Sequence, residues 1–292
     1  MDFVIPLHRA NPIFRATIES IVKFYSPNNI HIITPLLEIN KIKWEFWNIG
    51  NTVLNFIPED TFFDPLTKTD LEKIYKNIDE KSREFGWWYQ QILKIGAFMK
   101  IPNISEPYMV WDSDLIPIVR WEIYPTVEFP YHRFAILQES ARSQMNISEY
   151  KKSIYELIEM DALEPPIGTF VPHHFIMYKY VLEDLIQHIE RISKKPWYIS
   201  IIQLSVKFLR FSEYKCISTF MYNKYQNLLN YHPFSHYGNG IRFRDSKKVV
   251  EDLIIMNNIN TNTNTNEISY DCILEYIGKM EKLPTYLQLE HV

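Results

Sequence analysis

Short apolar runs alternate with longer amphipathic ones over about the first 115 residues, and no other feature limits the fold as much. Phe3-Val4-Ile5-Pro6 reads as a buried strand, and Asn11-Pro12, a capping residue before a proline at the first helical position, predicts a helix to about Phe24. Ile30 to Ile33 is a second strand, residues 43–57 hold one or two short ones, and Thr69-Asp70-Leu71-Glu72 resembles a capping box that opens a helix to about Ile78. Gly86 precedes an apolar helix from Trp87 to about Met99, and Pro107 to Trp111 is a strand. This order predicts an α/β fold, a mostly parallel sheet covered by helices. The second half is more helical, with segments expected near 148–160, 179–192, 198–210, 213–228 and 270–281. The Asn/Thr tract within 257–267 reads as a surface loop.

Glycine then narrows the chemistry. Only 7 of 292 residues are glycine, about 2.4% against roughly 7% in average proteins. Neither G-x-G-x-x-G nor the P-loop pattern can be built from them, so a phosphate ligand must be held without a glycine cradle. A net charge of -4 gives no basic stripe for nucleic acid. Cys216 and Cys272 form no C-x-x-C, which argues against a zinc ribbon or a disulfide framework. The opening residues lack a basic region followed by a long apolar run, and no stretch approaches the roughly 18 apolar residues of a membrane span. The expectation is a soluble, cytoplasmic protein without an integral membrane segment.

The strand ending at Trp111 runs directly into Asp112-Ser113-Asp114. In an extended chain, residues two apart point to the same side, which would aim both carboxylates together. Ligands of open α/β sheets gather at carboxyl ends of strands, and paired carboxylate oxygens suit Mg²⁺ or Mn²⁺. A D-x-D of this kind can equally end a strand and cap the next turn.

These residues do not stand alone. Phe3 to His8, Gly86 to Lys94, Trp111 to Asp114, Pro172 to Phe175 and Phe211 to Tyr214 occur in an order that resembles a glycosyltransferase-like family of bacteria and large DNA viruses. The wider group is the GT-A nucleotide-sugar-dependent glycosyltransferases. The resemblance spans about residues 1–245 and implies a GT-A-like catalytic domain there, followed by a helical C-terminal extension over 246–292. It implies that Pro6, Leu7, His8 and Arg9 hold the nucleoside and that Gln91 and Lys94 touch the donor. By the same resemblance Asp112 and Asp114 bind the metal and donor, and His236, with His232 second, completes the metal shell. Glu213, at a helix start after Ser212, matches the general base of inverting enzymes, although acids are favoured in first helical turns anyway.

Other constellations have two readings each. His174 could meet a sugar hydroxyl or a phosphate oxygen, or simply close a loop. Trp87, Trp88 and Tyr89 cannot all face one site, so at least one belongs to the core. Arg242 and Arg244 share one face of an extended segment, suitable for a diphosphate but more simply an exposed strand face. The expected activity is metal-dependent transfer of a sugar, from a nucleoside diphosphate donor (UDP by default), to a glycan or protein hydroxyl. The alternatives are a phosphohydrolase with Asp112 as nucleophile and Asp114 as acid/base, and a non-catalytic carbohydrate-binding protein.

Overall fold

The computed structural model describes every residue except 43, 77–84, 124, 128–131, 136–146, 165–168, 205–208, 233–236, 257–266 and 291–292. In chain order the elements begin with β1 (Phe3–Pro6), α1 (Phe14–Tyr25), β2 (Asn29–Thr34), α2 (Leu36–Ile39), β3 (Val53–Pro58), α3 (Lys68–Lys76) and α4 (Phe85–Lys100). Next come β4 (Tyr108–Trp111), β5 (Leu115–Pro117), β6 (His132–Ala135), α5 (Ile147–Ile158), β7 (His174–Met177), α6 (Lys179–Ser193) and α7 (Trp197–Gln203). The last are α8 (Glu213–Lys224), β8 (Leu229–His232), β9 (Ile241–Phe243), α9 (Lys247–Met256), α10 (Tyr270–Ile277) and β10 (Tyr286–Leu289). Two compact units result: Met1–Pro58 with Trp111–Glu122 and Ser235–Val292, and Glu59–Val110 with Ile123–Phe234. The chain is an α/β protein of mostly parallel strands flanked by helices, as its sequence predicts.

In the first unit β1, β2 and β3 run parallel, with Pro6 opposite Ile33 and Thr34 opposite Pro58, so their carboxyl ends finish together. β1 is buried throughout and β2 nearly so, which is why both read as continuous apolar runs rather than alternating ones. Helix α1 starts at Phe14, two residues later than the Asn11-Pro12 signal suggests. Asn11 instead forms a local turn, its side chain accepting from the Ile13 N–H at 3.2 Å. A second sheet of order β5-β10-β9 pairs β10 antiparallel to β5 and parallel to β9. Beneath it Ile13, just before α1, and Ala16 of α1 pack with Ile116, Leu253, Ile273, Leu287 and Leu289. Helices α9 and α10 and strand β10 therefore share a core with the first helix.

In the second unit α4 is apolar over most of its surface, and every residue from Trp88 to Ala97 except Gln90 is buried. Gly96 lets the Trp197 ring lie against it, because a β-carbon there would stand 3.2 Å from that ring. The helix before it is capped two residues earlier than the sequence reading has it. Thr67 and Asp70 form the reciprocal cap, with the Asp70 N–H donating to Thr67 Oγ1 at 3.2 Å and Thr67 N–H donating back to Asp70 Oδ2 at 3.1 Å. Helix α7 ends at Gln203 and α8 at Lys224, both short of the expected limits, while α5 and α6 fall within two residues of theirs. The Asn/Thr tract lies outside the described residues.

Candidate active site

The acidic motif is a turn, not a continuation of the strand. β4 stops at Trp111, and Leu115 N–H donates to the Asp112 carbonyl at 3.2 Å, closing a tight turn over Asp112, Ser113 and Asp114. The same-side rule for extended chains therefore does not govern the two carboxylates. Each carbonyl of the turn is held by a different element. Thr17 Oγ1, from α1, donates to Ser113 O at 2.9 Å, and Leu289 N–H, from β10, donates to Asp114 O at 3.0 Å. Beneath the turn the buried Trp111 indole donates to Leu115 O at 2.8 Å and packs on Phe3, Tyr25 and Trp121. Asp112 and Asp114 stay partly exposed above this floor. Gln288, also on β10 and only 2% exposed, donates through Nε2 to Asp114 Oδ1 at 2.7 Å.

The loop after β1 leads into the same helix that holds Ser113. Pro6 and Leu7 are buried, so only their backbone can meet a ligand, whereas His8 and Arg9 are exposed. Glu38 of α2 fixes this loop by accepting from the Ala10 N–H at 2.9 Å while binding Lys41 at 2.5 Å. Burial alone would raise the Glu38 carboxyl, but Lys41, the Ala10 N–H and the charge of His8 together hold it below the ordinary range. Neither Glu38 nor Thr17 carries a sequence signal for this role. Gln288 does have a faint one, a polar residue alternating with Leu287 and Leu289.

Three further predicted residues come together in the second unit, with one another. Lys94 Nζ on α4 lies 2.7 Å from Glu213 Oε1 at the start of α8, and both side chains are almost fully buried. Gln91 Oε1 accepts from the Glu213 N–H at 3.1 Å, and Lys94 sits 4.7 Å above the Tyr214 ring. Ser212 caps α8 as expected, its side chain accepting from Lys215 N–H. Burial and the neighbouring Glu213 charge push the Cys216 thiol well above its usual value, so it is an inert core thiol.

His174 begins β7, buried, with Nδ1 2.9 Å from the Pro172 carbonyl. In the neutral ring this puts the proton on Nδ1 and makes Nε2 an acceptor. His236 lies outside the described residues, and His232 ends β8. Trp88 and Tyr89 belong to the core, leaving Trp87 partly exposed. Arg242 and Arg244 are both exposed, and Arg242 pairs with Glu290, the simpler of the two readings. Among the described residues no three of His, Cys, Asp and Glu cluster as a metal site, and no helix is long and apolar enough to cross a membrane.

Fold and site define an α/β protein with an acidic turn braced at the carboxyl end of a buried strand. The chain belongs to a family of unknown function, DUF6492, which matches residues 3–250. No curated protein matches its sequence. Among solved structures it is similar to mouse xyloside xylosyltransferase 1 in its apo form, with 10% identity, TM-score 0.46, and coverage of 99% of this chain and 97% of that one. It is also similar to an active-site mutant of LgtC, with 11% identity, TM-score 0.45, and coverage of 99% and 86%. The apo bifunctional glycosyltransferase WbbM gives 12% identity and TM-score 0.45, this chain spanning 45% of its length.

Proposed function

We propose that the protein is a metal-dependent glycosyltransferase that uses a nucleoside diphosphate sugar, with UDP as the nucleotide, and a hydroxyl acceptor. The observation that carries this reading is the acidic turn itself, with its three carbonyls bonded internally and its two aspartates partly exposed. Two carboxylates suit Mg²⁺ or Mn²⁺, which complete their shells with water and substrate phosphates rather than with a full protein cage. Asp112 and Asp114 would hold the ion. Once bound, it supplies positive charge that stabilises a departing diphosphate, the role a glycine cradle would otherwise share.

His8 and Arg9 are the exposed part of the β1–α1 loop and are suited to the donor's nucleoside and phosphate groups. His174 is assigned to a sugar hydroxyl or a phosphate oxygen of the donor in this reading. Glu213 is the general base for the acceptor hydroxyl in this reading, and Lys94 beside it supplies the counter-charge to its carboxylate. His236 remains the third protein ligand proposed for the ion.

The test is Mn²⁺-dependent hydrolysis of a UDP-sugar in the absence of acceptor. Asp114→Asn should lower it by at least about 100-fold, on the scale of losing about 2.7 kcal/mol of charge stabilisation in the transition state. Release of phosphate from simple monoesters, lost in Asp112→Asn, would instead establish the phosphohydrolase.

A further inference from the structure

The turn is braced from far along the chain. Gln288 lies 174 residues from Asp114 and beyond the 3–250 span of the family match. Residues 288 and 289 of β10 grip one residue twice, Leu289 at the carbonyl and Gln288 at the carboxylate. β10 is itself held on both sides, with Gln288 in register with Leu115 on β5 and Arg242 on β9. A carboxylate can only accept, so Asp114 dictates which end of the Gln288 amide faces it. The other end, Oε1, is buried and has no partner among the described residues. An unsatisfied buried acceptor costs stability, and an apolar residue of the same length would avoid that cost. Glutamine at 288 is therefore poorly explained by folding and well explained by Asp114.

Building on the metal reading above, we propose that Gln288 is a positioning residue. Through its hydrogen bond to Oδ1 it orients the Asp114 carboxylate for a divalent cation. Hydrogen bonds to ligating carboxylates are worth about 10–100-fold in metal affinity when removed.

The experiment measures Mn²⁺ affinity by titration calorimetry and electron paramagnetic resonance, with UDP present, and thermal stability alongside. Gln288→Met should bind Mn²⁺ about 10–100-fold more weakly and melt at or above the wild-type temperature. That opposite pair of signs is what a merely structural glutamine would not give. Gln288→Asn keeps the amide but withdraws it by one methylene, and should also weaken Mn²⁺ binding; it carries the test should the Met variant fail to fold. Wild-type affinity in a folded Gln288 variant, with binding abolished by Asp114→Asn, would overturn the proposal alone. No Mn²⁺ binding by the wild-type protein would overturn the metal reading and this proposal with it.

Discussion

Replacing Lys94 with Met would strand Glu213, a carboxylate only 3% exposed, with its counter-charge gone. At 2.7 Å and an effective dielectric of about 20, the attraction between unit charges is about 6 kcal/mol. Desolvation of both ions offsets much of it, and removing one partner of such a pair costs about 3–5 kcal/mol. Gln91 does not compensate, because it accepts from the Glu213 backbone N–H and leaves the carboxylate untouched. Lys94→Met should therefore lower the melting temperature by about 6–20 °C, at about 2–4 °C per kcal/mol for a chain of this size. Lys94→Met combined with Glu213→Leu should recover most of the loss, since a packed apolar pair replaces a buried ion pair at little or no net cost. Scanning calorimetry and urea titration of the single and double variants give the coupling directly. A single-variant loss under about 1 kcal/mol would refute the reasoning, because that is the behaviour of a solvated pair. The same series addresses catalysis. If Glu213 is the acceptor's base, Glu213→Gln loses transfer to acceptor while keeping acceptor-free donor hydrolysis. If the pair only holds α4 to α8, both activities fall together as the fold weakens.

Two glycines should respond oppositely to alanine. At Gly240 a β-carbon would fall 1.9 Å from the Tyr286 ring, so Gly240→Ala should destabilise by about 1–3 kcal/mol in urea titration. Gly86 has nothing within 4 Å and lies in the first turn of α4, so Gly86→Ala should stabilise by about 0.5–1 kcal/mol. His31 gives a pH signature. Burial lowers its pKa, with Asp2 only partly opposing, so below its unfolded value of about 6.5 the unfolded chain takes up a proton that the folded chain refuses. Stability should be flat above about pH 7 and fall as pH drops from about 6.5 toward the folded pKa. A His31→Asn variant should lose that slope in urea titrations at pH 7.5 and 5.5.

Elements with strong punctuation are legible in the sequence. β1, β2, β4, α4 and α6 are continuous apolar or amphipathic runs bounded by proline, glycine or polar clusters, and each lies close to where the pattern puts it. The α3 cap shows the limit of pattern alone. Thr67 and Thr69 each stand three residues before an acid, and only the geometry of Asp70, bonded to both the N–H and the hydroxyl of Thr67, selects the first. The two aspartates are equally legible, yet their backbone is not: an apolar strand continues until something ends it, and here Leu115 folds back onto Asp112. Lys94 and Glu213 each carry a signal, but nothing in the sequence says that residues 119 apart will neutralise one another. Gln288 has only its faint alternation with Leu287 and Leu289 to mark it, because an uncharged amide in a four-residue strand belongs to no motif.

The double grip of β10 on Asp114 also has a consequence in time. The 174 residues between the partners take on the order of 10–30 s to synthesise at about 5–20 residues per second. The strand and acidic turn emerge early, but the brace arrives only when residues 288 and 289 do. Until then the nascent chain carries Asp114 without the contact proposed to aim it. Tight cation binding would then wait for β10, and a ribosome stalled before residue 286 would display the motif without its affinity.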